Sequence, residues 1–229
     1  MKLLIFFLAA IFSFANTNIA VCANLKNPFK EIKKEYHLKA NLFFDSSGEL
    51  MSDILWYPDK YDIFISANKN FIDTLTQYKV CKKSTILTYA TIVLISKNIK
   101  IKSINDLLKA KQIILANPNN APIAKEAKNI LIKLHLFSKI NKKIVFLDNI
   151  DNINKYVLKH PNVIGISSNA AIKLHLNYYK INTKYYTPLP QTICLINKKS
   201  ENIYNLLISE KVKKIFSKYG YVNEYKNNK

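Results

Sequence analysis

Phe43-Phe44-Asp45-Ser46-Ser47-Gly48-Glu49-Leu50 is an apolar run that stops at two serines and a glycine and passes at once into a helical pattern. A strand-to-helix turn of this kind aims hydroxyls and backbone N–H groups at one point, as an anion at a helix N-terminus requires. A plainer reading is local. Ser46 and Glu49 are three residues apart, the capping-box spacing, with Glu49 reciprocating the cap, and that alone only starts a helix. The flanks show what the turn connects. Residues 39–44 read as a strand, and residues 49–55 as a helix with Leu50 and Ile54 on one face.

The same unit recurs along the chain. Residues 19–23 form a strand that ends at Asn24, with Asn27 as a cap and Pro28 in the first helical turn. Residues 61–66 form a strand, and a helix opens after Ala67-Asn68. A strand at 112–116 leads through the loop 117–122 to a helix at 123–134. A strand at 143–147 precedes a helix capped by Asn149. A strand at 162–166 precedes the turn Ser167-Ser168-Asn169 and a helix at 170–176. Residues 88–96 and 192–196 are further strands, and one last helix covers 200–218 before Tyr219-Gly220. Residues 223–229 read as a loose tail.

Alternating strands and helices predict an α/β fold with mainly parallel strands. The nine or ten strand candidates exceed one compact sheet of usual size, so two lobes are expected. Lobe I takes residues 16–92 and 192–229, and lobe II residues 93–191. Ligands of open α/β sheets sit beyond the carboxyl ends of the strands, which puts the turns at Asn24, Ser46-Ser47-Gly48, Ser66-Ala67 and Ser167-Ser168-Asn169 at the expected site, along with the helix starts after Pro122 and Asn149. Each such helix start offers unpaired N–H groups and about half a positive charge.

Bulk properties narrow the class. The chain has 229 residues and is 49% hydrophobic, enough for one large domain or two lobes with real cores. Met1-Lys2, the apolar run from Leu3 to Phe14 and the small residues Ser13 and Ala15 are a Sec signal peptide over residues 1–15, with the cut expected after Ala15. Export to the periplasm follows. Lipoprotein anchoring is not expected, because Val21 stands before Cys22 where lipid attachment requires a small residue. Cys22, Cys81 and Cys194 form neither a disulfide framework nor a metal-binding spacing, and one bridge among them stays open. The net charge of +20 comes from 35 basic residues, all of them lysine. Spread lysines in a chain rich in asparagine and isoleucine point to AT-rich codons rather than to nucleic acid. Without arginine, an anion cannot be held by a guanidinium fork.

Phe44-Asp45-Ser46-Ser47-Gly48 with Leu50, then Asp62-Ile63-Phe64-Ile65-Ser66-Ala67, Asn117-Pro118 with Pro122, Lys125-Glu126-Ala127, Gly165-Ile166 and Ile215-Phe216-Ser217-Lys218-Tyr219-Gly220-Tyr221 together resemble the periplasmic molybdate-binding proteins of ABC importers. The resemblance covers the mature chain in order. It implies the two-lobed type II periplasmic binding protein fold, with a mainly parallel, helix-flanked sheet in each lobe and a cleft between them. It implies capture of a tetrahedral oxyanion, molybdate or tungstate, with no cofactor and no catalysis. Delivery would be to an ABC permease in the inner membrane, by a monomer.

Carried over by position, Ser47 supplies a hydroxyl, and Ala67 and Ile150 supply backbone N–H groups. Asn24 stands in place of a ligating serine, Ile123 in place of a small residue after Pro122, and Ser168 in place of a ligating tyrosine. Asn117 replaces an aspartate. Those departures reshape the cavity and open a second reading, the same fold with another anion or a small polar solute. A secreted enzyme is the different-class alternative. It finds no G-x-S-x-G and no H-E-x-x-H, and His37, His135, His160 and His175 lack ligand spacing. Adhesion to anionic surfaces through the lysines is the remaining reading.

Overall fold

The computed structural model describes residues 16–223. The expected signal peptide, residues 1–15, and most of the expected tail, residues 224–229, lie outside them. In chain order the elements are β1 (Thr17–Cys22), α1 (Lys26–Glu35), β2 (Ala40–Asp45), α2 (Ser47–Trp56), β3 (Ile63–Ser66), α3 (Lys69–Gln77), β4 (Lys83–Ala90) and β5 (Ile92–Ser96). There follow β6 (Gln112–Ala116), α4 (Pro122–Lys133), the short α5 (Phe137–Ile140), β7 (Ile144–Leu147), α6 (Ile150–Lys159), β8 (Val163–Ser168), β9 (Asn177–Lys180), β10 (Leu189–Leu195), α7 (Glu201–Leu207) and α8 (Glu210–Lys218).

Two five-stranded sheets share one plan. The first runs β2-β1-β3-β10-β4 and the second β7-β6-β8-β5-β9. In each, the first three strands are parallel, the fourth is antiparallel to its neighbours, and the fifth returns to the common direction. The chain leaves the first sheet at Thr91, between β4 and β5, and is back in it from Leu189. The single strand expected over residues 88–96 is thus two strands in different sheets. Both halves are β-branched, so nothing local marks the break. Asn169 holds the crossing: its Oδ1 accepts from Thr91 N–H at 2.8 Å, and its N–H donates to Thr91 O at 3.0 Å.

Burial on both faces explains the near-continuous apolar strands. In β1, Ile19 and Val21 face a core shared with α1 and α8, while Ala20 faces the layer of Leu50, Ile54, Ile72 and Leu75 from α2 and α3. Phe64 follows Ala20, and Ile63 and Ile65 follow Ile19 and Val21. The same layer contains a disulfide between Cys81 and Cys194, which closes 113 residues of sequence separation; Cys22 is free and buried.

Several local expectations give way to tertiary pairing. The turn expected at Ser167-Ser168 is strand, because both serines pair with β5, Ser167 with Val93 and Ser168 with Ile92. The helix expected at 170–176 is a 3-10 stretch, Asn169–Leu174. The last helix is two, α7 and α8, broken where Ser209 takes an extended ψ of 154°. β9 was not expected at all.

Three of the four histidines, His37, His135 and His175, take positive φ of 48°, 53° and 54°. Each ends a helical segment in the left-handed conformation that a short polar residue tolerates, a structural task. Among the described residues, no group of three or more His, Cys, Asp or Glu side chains is placed to hold a metal, and no helix is long and apolar enough to cross a membrane.

Candidate functional site

The carboxyl ends of the parallel strands in the two sheets face each other. From the first sheet come Cys22, Ala23 and Asn24 after β1, Ser46 and Ser47 after β2, and Ala67 after β3; from the second come Ala121, Pro122, Ile123, Asn149 and Ile150. Together they line one small cavity. Five of the six sequence-derived positions, Asn24, Ser47, Ala67, Ile123 and Ile150, meet there from both lobes. No charged side chain lines it. Three long helices begin at its wall: Ser47 is the first residue of α2, Ile123 the second of α4 and Ile150 the first of α6. Three helix N-termini thus meet at this wall, and their dipole ends favour a negative charge without a formal cation.

Ser168 stands behind the wall. It ends β8, its side chain is buried, and its hydroxyl lies beside the Tyr221 phenol. It is not among the residues that line the cavity, since its backbone is locked in the β5 pairing and a serine reaches less far than a tyrosine. A phenol from another part of the chain stands close to the site. The Tyr221 hydroxyl donates to the Asn24 carbonyl at 2.7 Å and accepts from Asn24 Nδ2 at 3.4 Å. Burial, with the Cys22 thiol as neighbour, pushes the Tyr221 phenol far up, so it remains a neutral donor.

Ser46 and Ser47 divide their tasks. Ser46 Oγ accepts from Glu49 N–H at 3.2 Å and caps α2. Ser47 turns inward, and its Oγ accepts from Ala67 N–H at 3.0 Å. Two groups expected to serve a ligand are therefore bonded to each other, and the Ser47 hydrogen has the Cys22 thiol beside it as a partner. Glu49 does not complete a capping box. Its carboxylate crosses the cleft and accepts from Asn120 Nδ2 at 2.6 Å.

Other bonds span the lobes beside it. Gly48 N–H donates to Asn120 O at 3.1 Å, and Asn149 Nδ2, from the cap of α6, donates to Asp45 Oδ1 at 3.1 Å. Lys26 pairs with Asp151 at 2.5 Å. Burial alone would raise the Asp151 carboxyl; the ammonium groups of Lys155 and Lys26 outweigh it and hold it lowered. The lobes are closed on the turn itself.

The cavity is small, about 10 Å³ at the centre of a water-sized atom, on the order of what one water needs. Outside it, a groove of about 460 Å³ shares Ala67 and Pro122 and has Lys69 and Lys125 on its two sides. A larger hollow of about 630 Å³ lies along β2 and α2. It gathers the carboxylates of Asp45, Glu49 and Asp53 against the single cation of Lys60, a balance that disfavours an anion. The cavity also holds a group the sequence did not flag, the Cys22 thiol. Burial pushes it well above the usual thiol range, so it is an inert neutral group and not a nucleophile.

Two facing α/β lobes, with the strand ends and helix starts of both turned to one small cavity, define a two-lobed periplasmic-type binding protein. The chain belongs to the bacterial extracellular solute-binding protein family, whose model matches residues 17–222. Among curated proteins it is similar to YvgL of Bacillus subtilis, assigned by name to the ABC transporter substrate-binding lipoproteins, with 24% identity over 90% of this chain and 86% of the relative. Among solved structures it is similar to the periplasmic molybdate-binding protein of Azotobacter vinelandii, with a TM-score of 0.83 and 17% identity over 92% of this chain and all of the other. It is also similar to the sulfate-binding protein SubI of Mycobacterium tuberculosis, with a TM-score of 0.74 and 9% identity over 90% of this chain and 86% of the other. At these identities the structural likeness establishes the fold.

Proposed function

We propose that this protein captures a small tetrahedral oxyanion outside the cytoplasmic membrane and delivers it to the permease of an ABC importer. One observation carries the reading: three helix N-termini and the Ser47 hydroxyl meet at an interlobe cavity that no charged side chain lines. Hydrogen bonds to a charged group contribute roughly 1.5–3 kcal/mol each, so a few such donors suffice for tight capture. Release needs only a hinge opening of the two lobes. The names of the Bacillus and Azotobacter relatives agree with this role, and make molybdate and tungstate the first ligands to try.

A second reading keeps the fold and the permease but changes the anion. It is favoured by Asn24 and Ile123, both larger than the residues they replace and both on the cavity wall.

Periplasmic export suits the signal-like N-terminus and the disulfide, which persists in an oxidising compartment. Lipid attachment at Cys22 does not suit the fold. Processing there would remove all of β1 but its last residue, and β1 is the strand that pairs with both β2 and β3.

Thermal denaturation with molybdate, tungstate, sulfate and phosphate at millimolar concentration tests the proposal. A ligand at a hundred times its Kd adds about 2.7 kcal/mol and should raise Tm by roughly 5–10 °C in a chain of this size. No shift with any of the four would refute oxyanion capture.

A further inference from the structure

Asn24 lies on the cavity wall, and both hydrogens of its side-chain amide are already used. Nδ2 donates to Gln191 Oε1 at 2.8 Å and to the Tyr221 hydroxyl at 3.4 Å. The surrounding bonds fix which atom is which. The Tyr221 hydrogen goes to the Asn24 carbonyl at 2.7 Å, so toward Nδ2 its oxygen can only accept. Gln191 Nε2 donates to Leu189 O at 3.0 Å, which leaves Oε1 facing Asn24, and the Cys22 Sγ donates to the same oxygen at 3.5 Å. Turning the Asn24 amide over would set Oδ1 against Oε1, two acceptors in a buried place. The side-chain atom Asn24 has left for the cavity is therefore Oδ1, which only accepts.

An acceptor in an anion site divides oxyanions into two kinds. Molybdate, tungstate and sulfate are fully deprotonated at neutral pH, and every oxygen they carry only accepts. Set against Oδ1, such an oxygen meets a lone pair and leaves a buried acceptor unmatched. Hydrogen phosphate keeps a hydroxyl at the same pH, and that hydroxyl can donate to Oδ1 while the charged oxygens face the helix N-termini at the wall. Size acts the same way against molybdate and tungstate, though not against sulfate, which is no larger than phosphate. The cavity is tight, with Asn24 and the buried Ile123 on its wall, and phosphorus–oxygen bonds are shorter than molybdenum–oxygen bonds.

We infer that this cavity selects a small oxyanion that retains a proton, the hydrogen phosphate class, against fully deprotonated dianions. The inference rests on the oxyanion reading above and narrows its ligand. Selection of this kind works by placing an unpaired polar group against the competitor.

Calorimetric titration of the chain from Asn16 with inorganic phosphate, sulfate and molybdate, each at pH 7.5, tests it. Phosphate should bind at least tenfold more tightly than either other anion. Asn24→Ser, which restores a hydroxyl donor and enlarges the cavity, should reduce that preference at least fivefold. Gln191→Met, which frees one Asn24 hydrogen without touching the cavity wall, should raise sulfate affinity in the same direction, and it decides the matter if the Asn24 variant does not fold. Sulfate or molybdate binding within tenfold of phosphate to the unmodified chain would overturn the selection and leave oxyanion capture standing. Failure of all three anions to bind would overturn both.

Discussion

Gly48 and Asn120 touch across the cleft so closely that a side chain at Gly48 would press on the Asn120 backbone. Gly48 N–H donates to Asn120 O at 3.1 Å, and a Cβ built on Gly48 would stand 3.1 Å from Asn120 Cα and 3.2 Å from Asn120 O. The glycine is therefore explained by lobe closure and not by local turn geometry, since its backbone is helical within α2. It sits between the residue that caps the helix and the carboxylate that reaches Asn120.

Gly48→Ala should separate affinity from stability. A methyl group against the Asn120 backbone requires the lobes to give by a few tenths of an ångström, and it acts only when they close. Ligand affinity should fall roughly tenfold, equivalent to about 1.4 kcal/mol. The Tm of the ligand-free protein should change by no more than a few degrees, with the better helix propensity of alanine partly compensating. Calorimetry with the tightest-binding oxyanion, paired with thermal denaturation, checks both. An unchanged affinity would mean that closure does not bring Gly48 onto Asn120 in solution.

Much of the fold and part of the site were legible in the sequence, and the division follows the range of the interactions. Ser46 as a cap depends on a residue three positions away and was readable. Glu49 looked like its partner, yet it chose Asn120, 71 residues away, because the closed lobes bring that amide within 2.6 Å. The strand ends at Asn24, Ser47 and Ala67 could be placed because apolar runs and capping residues mark them. Gln191 and Tyr221 could not. They meet Asn24 across 167 and 197 residues, and neither has a local pattern that announces a polar network. The turn expected at Ser167-Ser168 failed for a related reason: two serines before an asparagine read as a turn, whereas pairing with Ile92 and Val93 keeps them in β8. The disulfide also lay beyond sequence spacing, since three cysteines allow several bridges and only the approach of α3's far end to β10 selects one.

That bridge gives a second prediction. Thiol titration in denaturant without reductant should find one reactive thiol, Cys22, and three after reduction. In the folded protein Cys22 should be unreactive, because it is buried and its thiol is pushed up. Replacing Cys81 and Cys194 together by serine frees a long loop in the unfolded chain and should cost about 2–4 kcal/mol, lowering Tm by roughly 5–15 °C. Three thiols in denaturant without reductant would exclude the bridge.

Acid stability offers a third, centred on Asp106 in lobe II. Its Oδ1 accepts from Lys109 Nζ at 2.7 Å, and its Oδ2 accepts from the N–H groups of Lys102 and Ser103 at 2.8 and 2.9 Å. The Lys109 bond first, and then the two backbone donors, hold the carboxyl down to about 2. The unfolded value is about 3.9. A carboxylate whose folded pKa is depressed adds stability above its unfolded pKa and loses it as the pH falls through the folded one. Lys109 is 76% exposed, so the backbone bonds should provide most of the effect. Asp106→Asn should therefore cost about 1–2 kcal/mol at pH 7. The difference from the unmodified protein should hold down to about pH 4 and shrink toward zero near pH 2, as the native carboxyl takes up its proton. Urea denaturation at pH 7, 5, 4, 3 and 2 measures it. A gap that stayed constant to pH 2 would show that the charge on Asp106 is not what those bonds require.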